Sequence, residues 1–424
     1  MPRDVRVESF GCRLNLVESE AMRRLAGAAG GGDLVIVNTC AVTGEAVRQA
    51  RQTIRRLRRE RPAAEIVVTG CAAETETATF AAMPEVSRVV GNAEKLAGTI
   101  WGNSSDGRRV AVAGIGTAGA AAPIADAIEG HTRAFVQVQT GCDHACTFCI
   151  IPLGRGRARS VPVADAVAAI ARLVDQGFED VTLTGVDLTS YGADLAGRPA
   201  LGDLVAGVLD GVPGLRRLRL SSLDVAEADE RLIGLFAGDV RLAPYLHLSL
   251  QAGDDLILKR MKRRHSRADA VAFCARLRAL RPDIVFGADL ITGFPTETEA
   301  MFERTLDLVD DCGLTHLHVF PYSPRPGTPA ARMPAIAAGV ARARATRLRA
   351  HGEAALAVHL ERQQRRTVEV LSERGGFGRT ADFTSVRLGP EVPAGRWLTG
   401  RVAGHDGRHL ALEPLPLVAP ALTG

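Results

Sequence analysis

Along the first hundred residues, short unbroken apolar runs alternate with stretches whose apolar positions recur every three or four residues. The runs at 5–9, 34–37, 66–69 and 87–90 are bounded by Gly, Asn or Thr, as parallel strands buried on both faces are. Between the second and third runs, Val47, Ala50, Ile54 and Leu57 mark one face of a helix. Its other side carries Arg48, Arg51, Arg55, Arg56, Arg58 and Arg59, and it stops before Pro62. A small α/β domain with a parallel sheet is therefore expected over 1–107. From 102 the composition turns to Gly, Ala and Ser, with little to anchor a core, and a linker is expected over 108–130.

A longer alternation follows. Strands are expected at 134–137, 180–184, 215–220, 246–250, 284–291 and 316–321, with helical stretches such as 164–176, 267–280 and 297–311 between them. Six β–α units predict a parallel (β/α)6 partial barrel over 131–366, ending in a long basic helix at 337–366. Short runs at 367–371, 385–388, 397–402 and 409–412, separated by Gly, Pro and Asp, predict a small antiparallel β-barrel over 367–424.

With 46% hydrophobic and 24% charged residues, the 424-residue chain is globular rather than disordered or fibrous. The net charge of +4 is only mildly basic, and Lys95, Lys259 and Lys262 are its only lysines. No apolar core follows basic residues at the start of the sequence. The longest uncharged run, 110–125, is weakly apolar and broken by Gly and Pro, so neither a secretory signal nor a membrane span is expected. The expected location is the cytoplasm. In that reducing compartment eight cysteines point to metal binding or catalysis before disulfides.

Cys142, Cys146 and Cys149 lie in one run, TGCDHACTFC, just after the first strand of the middle domain. A structural zinc ion wants four protein ligands, and only His144 is at hand for the fourth place. Three thiolates on a four-iron cluster leave one iron open for a small molecule, the alternative that soft sulfur ligands favour. Cys12, Cys40 and Cys71 each follow a predicted parallel strand and so emerge at one carboxyl edge, where open α/β sheets bind ligands. A second cluster and three separately buried cysteines are the two readings of that placement. Cys274 and Cys312 fall in helical stretches and are expected in the core.

The run from Cys142 to Cys149, with IIPLGRGRARS behind it, resembles the radical S-adenosylmethionine signature of the methylthiotransferases. ESFGCRLNLVESE, VNTCAVTGEAVRQARQ and IVVTGCAAE are similar to that family's three N-terminal cysteine segments. LTGVDLTSYG, LHLSLQAGDD, LKRMKRRHSR, DLITGFPTETE and HVFPYSPRPGTPAARM are similar to its core segments, and GRTADFTSVRL through ALEP to a TRAM domain, a small RNA-binding barrel. NTCAVT, RQTIRRLRRERP and SPRPGTPAARM most resemble the branch acting on N6-threonylcarbamoyladenosine next to the anticodon of tRNA. Sister branches act on isopentenyladenosine in tRNA or on a ribosomal-protein aspartate.

The resemblance implies two 4Fe–4S clusters, on Cys142, Cys146 and Cys149 and on Cys12, Cys40 and Cys71. The first would chelate S-adenosylmethionine and cleave it to a 5′-deoxyadenosyl radical. The second would carry the sulfur that is methylated and inserted at C2 of the base. Thr184, Gly185 and Asp187 would hold the methionine part of the cofactor, Ser249 and Gln251 the ribose, and Gly293, Phe294, Pro295 and Phe320 the adenine. The family's usual Gly after GFP is Thr296 here, its usual Ser after LSLQ is Ala252, and His265 replaces an aromatic residue. Partners implied are the tRNA anticodon stem-loop, an electron donor such as flavodoxin or ferredoxin, and a sulfur source. Arg48 to Arg61 and Lys259 to Arg267, with Arg155, Arg157 and Arg159, are candidate phosphate contacts or solvated helix faces. A non-catalytic iron–sulfur RNA-binding protein is the rival from another class.

Overall fold

The computed structural model describes residues 4–102, 108–117, 119, 121, 124–126, 128 and 130–414; the last ten residues of the barrel domain expected over 367–424 lie outside them. The N-terminal part is a parallel sheet whose strands lie in sequence order: Val5–Ser9, Leu34–Thr39, Glu65–Gly70, Arg88–Val90 and Val110–Ala111. Both faces are covered. Met22 and Ala26, from the helix Arg13–Ala28, pack on Leu34 and Ile36. Val47, Ile54 and Leu57, from the helix Gly44–Glu60, pack with Val35 and Val37 from the opposite face. Thr43 caps that second helix by accepting a hydrogen bond from the Ala46 N–H.

The expected linker is not featureless. Val110–Ala111 adds the fifth strand to the N-terminal sheet, and Ile124–Asp126 pairs antiparallel with Ala134–Gln137 of the next domain. Gly- and Ala-rich composition hid both, because two or three residues at a sheet edge gain their stability from ladder bonds rather than from their own side chains.

Six parallel strands form the middle domain: Ala134–Gln137, Asp180–Thr184, Arg217–Leu220, Tyr245–Gln251, Val285–Thr292 and Leu314–Pro321. They run as two three-strand groups joined by parallel bridges at Leu218–Leu242 and Leu223–Leu248, which makes a partial barrel. Helices such as Val163–Asp175, Arg267–Leu280 and Glu299–Asp311 cover its outside. Cys274 and Cys312 are fully buried in that core.

The helix Ala338–Arg362 leads to a closed five-stranded barrel, Thr367–Glu373, Phe377–Thr380, Ser385–Arg387, Trp397–His405 and Leu410–Pro414. Phe377–Thr380, with its Gly and Arg, was not legible as a strand. The barrel is fastened beneath the middle domain, at the amino ends of its strands. Arg219 donates to the Ala381 and Thr380 carbonyls, both at 2.9 Å, and Phe383 stacks on Tyr245 with ring centres 4.9 Å apart. Arg216 and Arg217 lie over the Trp397 ring. Among the described residues no helix is long and apolar enough to cross a membrane.

Candidate functional site

Two short strands, Gln139–Thr140 and Arg159–Ser160, pair antiparallel and clamp the base of the middle-domain cysteine loop. Gly141 has a φ of +73°, and a Cβ there would fall 1.9 Å from the Arg157 carbonyl oxygen, so only glycine lets the chain turn into Cys142. The Cys142 N–H then bonds the Gly156 carbonyl at 3.0 Å. Thr147 pins the middle of the loop by bonds to Arg260 and Met261. Arg263 donates to the Cys146 sulfur at 3.6 Å, to Asp224 and to the Ser249 carbonyl. Burial, with Asp187 adding to it, pushes the Cys142 thiol up to about 12, and burial pushes Cys149 up to about 11.

Cys12, Cys40 and Cys71 stand at the carboxyl ends of the first three strands, on one edge of the sheet. Gly11 and Gly70, directly before two of them, also take left-handed φ values, +95° and +93°. A Cβ on Gly11 would lie 2.5 Å from the Cys40 Cβ, so that glycine is what lets the first two loops close on each other. A glycine directly precedes each of Cys12, Cys71 and Cys142, a turn signal legible in the sequence. Cys40 and Cys71 are buried, whereas Cys12 is exposed along a cavity that it lines with Cys40. The protein around that cavity raises the Cys12 thiol, and burial takes Cys40 up to about 12.

Both triads suit a multi-iron cluster better than zinc. Each offers three thiolates, one short of the four protein ligands a structural zinc ion takes, whereas a four-iron cluster held by three thiolates keeps one iron open. The charge beside the second triad fits as well. Glu18, Lys95 and Arg155 form a buried network, Glu18 bonding Arg155 at 2.7 and 2.9 Å and Lys95 at 2.6 Å, with side-chain exposures of 1–3%. Burial alone pushes the Glu18 carboxyl up, but Arg155 and Lys95 hold it down at about 2. One carboxylate against two cations leaves one positive charge. Burial opposes the Arg155 charge, while Cys71, Glu18 and Cys12 nearby hold its pKa well above the ordinary value. An anionic iron–thiolate centre balances that excess.

Arg155 also joins the two triads, since it ends the helix Ile151–Arg155 that follows the middle-domain loop and reaches Asn15 and Glu18 of the N-terminal domain. On the same helix Gly154 lies so close that a Cβ would sit 3.2 Å from the Cys71 Cβ. Arg155 was expected among phosphate contacts. It is 2% exposed, with both terminal nitrogens bonded to Glu18 and Asn15, and Arg263 is likewise committed to Asp224 at 2.7 Å. A run of arginines in a sequence does not tell which members are drawn inward by a carboxylate distant in the chain. Arg58 and Arg61 are also engaged, on backbone carbonyls and on Asp4 and Asp33. The Arg157 side chain is 91% exposed.

The strand-end residues separate into groups. Asp187 sits 3.8 Å from the Cys142 sulfur and accepts from His144, Ser190 and Thr189. Its turn is held by Gln139, a fully buried residue the sequence reasoning missed, whose Oε1 accepts from the Val186 and Asp187 N–H groups at 2.9 Å. Thr184, Gly185 and Phe320 line the cavity of about 830 Å³ that Cys12 and Cys40 also line. Ser249 and Gln251 close the fourth strand, Gln251 with a φ of +73°. Gly293 bonds Glu297, while the Phe294 side chain is fully buried against Tyr322 and leaves only its backbone to the site. Pro295 is buried beside it, and Thr296 holds a left-handed φ of +69°, the conformation for which a glycine is the ordinary choice. The far wall of the cavity carries Asp289 between His247 and His318, at 3.0 and 3.1 Å; all three fall within the quoted core segments, but none was named there as a site residue.

The description "Radical SAM superfamily" fits residues 136–309, and "Uncharacterized protein family UPF0004" fits residues 4–91. A threonylcarbamoyladenosine tRNA methylthiotransferase of Rickettsia prowazekii is 45% identical over 399 residues, 94% of each chain. One of Thermotoga maritima is 37% identical, covering 78% of this chain and 77% of that one. A tRNA-2-methylthio-N(6)-dimethylallyladenosine synthase of Novosphingobium aromaticivorans is 35% identical over 94% of each chain. Among solved structures, the radical S-adenosylmethionine methyltransferase TsrM of Kitasatospora setae superposes with a TM-score of 0.58 at 16% identity, over 78% of this chain and 75% of that one.

Proposed function

The chain belongs to the tRNA methylthiotransferases of the radical S-adenosylmethionine superfamily, and from that membership we propose how its own residues place a methylthio group on threonylcarbamoyladenosine in tRNA. Cys142, Cys146 and Cys149 hold one 4Fe–4S cluster, and Cys12, Cys40 and Cys71 hold the other. Once bound, with S-adenosylmethionine, these groups supply one-electron cleavage of a sulfonium and a transferable sulfur. The protein's part is position and exclusion of water. Gln139 fixes the turn that carries Gly185 and Asp187 beside Cys142, where Asp187 and Thr184 orient the amino-acid part of the cofactor. Arg263 fixes both Cys146 and the Ser249 end of the fourth strand, so ribose contacts at Ser249 and Gln251 keep a set distance from the first triad. Gly293, Phe294 and Pro295 offer backbone to the adenine, and Phe320 offers an exposed ring edge on the cavity.

One observation carries this division of labour: the helix directly after one triad packs against Cys71 of the other, tied down by the buried Glu18–Arg155 pair. A radical generated at one site then has only a short path to a substrate held at the other. The threonylcarbamoyl branch is supported over the dimethylallyl branch by 45% against 35% identity at the same 94% coverage. We place the domains at 1–107, 131–366 and 367–424 with the strand Val110–Ala111 added to the first and Ile124–Asp126 to the second, and the enzyme in the cytoplasm with a flavodoxin- or ferredoxin-type electron donor and a sulfur source. The test is a nucleoside profile of tRNA, with ribosomal-protein mass spectra, from cells with and without the gene. Loss of 2-methylthio-N6-threonylcarbamoyladenosine is expected; loss of the isopentenyl nucleoside or of a ribosomal-protein modification would reassign the substrate. Anaerobic protein given S-adenosylmethionine and reductant should release 5′-deoxyadenosine, and none would leave an iron–sulfur RNA-binding protein.

A further inference from the structure

The cavity of about 830 Å³ is large enough for a modified nucleoside, and all three parts of the chain line it. Its lower end is cationic. Arg13, next to Cys12, lines it, and among the described residues its guanidinium has no hydrogen bond to a carboxylate. It lies 5.8 Å from the ring centres of both Phe135 and Phe383. Arg133, Arg219 and Arg379 crowd the same Phe383 ring at 5.4, 5.8 and 4.6 Å. Their carboxylates are already committed. Glu373 serves both Arg133 and Arg379, and Asp180 serves both Arg219 and Arg217. Four guanidinium groups thus gather around one aromatic ring, and Arg13 is the one with no carboxylate of its own among the described residues. A half-buried guanidinium held among like charges without an anion is costly unless an anion arrives with the ligand.

Resting on the function proposed above, we propose that Arg13 is a specificity-determining residue that receives the carboxylate of the threonylcarbamoyl group. Three features favour that anion over a backbone phosphate. The cationic end lies inside the cavity, where a substituent hanging from a base can reach. Guanidinium and carboxylate pair as two parallel hydrogen bonds, and aromatic faces already hold the guanidinium from the sides. Arg13 also follows Cys12 directly. In adenine C6 and C2 flank the same ring nitrogen, so anchoring the C6 substituent beside Cys12 keeps C2 near the second triad. An isopentenyl group has no charge to meet these arginines, which gives the pocket a physical basis for telling the two substrates apart.

The test uses full-length, anaerobically reconstituted protein and three anticodon stem-loops. One bears threonylcarbamoyladenosine, one its methyl ester, and one unmodified adenosine. The wild-type protein should bind the acid more tightly than the ester, roughly 10- to 100-fold for a charge-assisted bond. Arg13→Gln should erase that preference, and Arg13→Lys should keep part of it, which also serves if the glutamine variant folds poorly. Equal weakening toward all three RNAs would assign Arg13 to phosphate, and an unchanged acid-to-ester ratio would remove it from recognition; either overturns the proposal. The nucleoside profile reports separately on the enzyme's substrate. If that profile loses the threonylcarbamoyl product while Arg13→Gln keeps its preference, only the role of Arg13 falls.

Discussion

Replacing Glu18 by Gln tests the buried network that joins the two cysteine triads. The change keeps shape and removes one charge, leaving Lys95 and Arg155 as two buried cations with no carboxylate, at 1% and 3% side-chain exposure. Breaking a buried pair from one side costs roughly 3–5 kcal/mol. The acidity of Glu18 leads to a similar figure. Its carboxyl is held at about 2 in the folded chain against an ordinary 4.5, and at about 1.36 kcal/mol per pH unit that difference is worth about 3 kcal/mol. Because the folded value is the lower one, this stability is present in full above pH 4.5 and is lost as pH falls toward 2. Lys95→Met should behave differently, since it leaves Glu18 and Arg155 as a neutral bidentate pair, and a cost of about 1 kcal/mol is expected. Denaturant titration of the anaerobic protein at pH 7, followed by thermal melting, gives both numbers. At about 4 °C or more per kcal/mol for a domain near one hundred residues, Glu18→Gln should lower the midpoint of the N-terminal unit by at least about 12 °C. The reasoning fails if Glu18→Gln proves no worse than Lys95→Met, or if its penalty persists unchanged at pH 2.

Other consequences are open to direct measurement. Gly11→Ala places a Cβ 2.5 Å from that of Cys40, so reconstituted iron should drop from about eight to about four per chain while 5′-deoxyadenosine formation survives; a full iron count would show that the two loops need not approach. Replacing Cys12, Cys40 and Cys71 together by Ala should leave cofactor cleavage and abolish sulfur insertion, and loss of cleavage in that variant would refute the division of labour. His316 is held at about 3 by burial, with His359 and Arg379 adding to it. The unfolded chain takes up a proton below pH 6.5 that the folded one refuses, so stability should fall by up to about 2 kcal/mol between pH 6.5 and 5. His316→Gln should flatten that slope, and an unchanged slope would exclude His316 as its source. Phe383→Ala removes the ring stacked on Tyr245 and should cost about 3 kcal/mol, with earlier proteolytic release of the C-terminal barrel; an unaltered digestion pattern would mean that the arginine and Trp397 contacts suffice.

What the sequence determined by itself was whatever local pattern can encode. Val47, Ala50, Ile54 and Leu57 announced their helix because a buried stripe must recur every three to four residues. Strands such as Asp180–Thr184 were legible because both faces are buried and the run is wholly committed to the core. The two cysteine triplets were visible for a similar reason, since their placement at strand ends follows from the order of the elements. The tertiary structure alone decided the rest. The same letter Arg stands at 155 and 157, yet one side chain is sealed against Glu18 and the other is in solvent. That difference depends on a carboxylate 137 residues away. Gln139 beneath the Asp187 turn, the His247–Asp289–His318 wall, the strands in the Gly- and Ala-rich linker and the cationic end of the cavity were hidden for the same cause. Each is made by groups from separate segments that meet only after the sheets have packed, and desolvation then fixes which charges must pair and which remain free for a ligand.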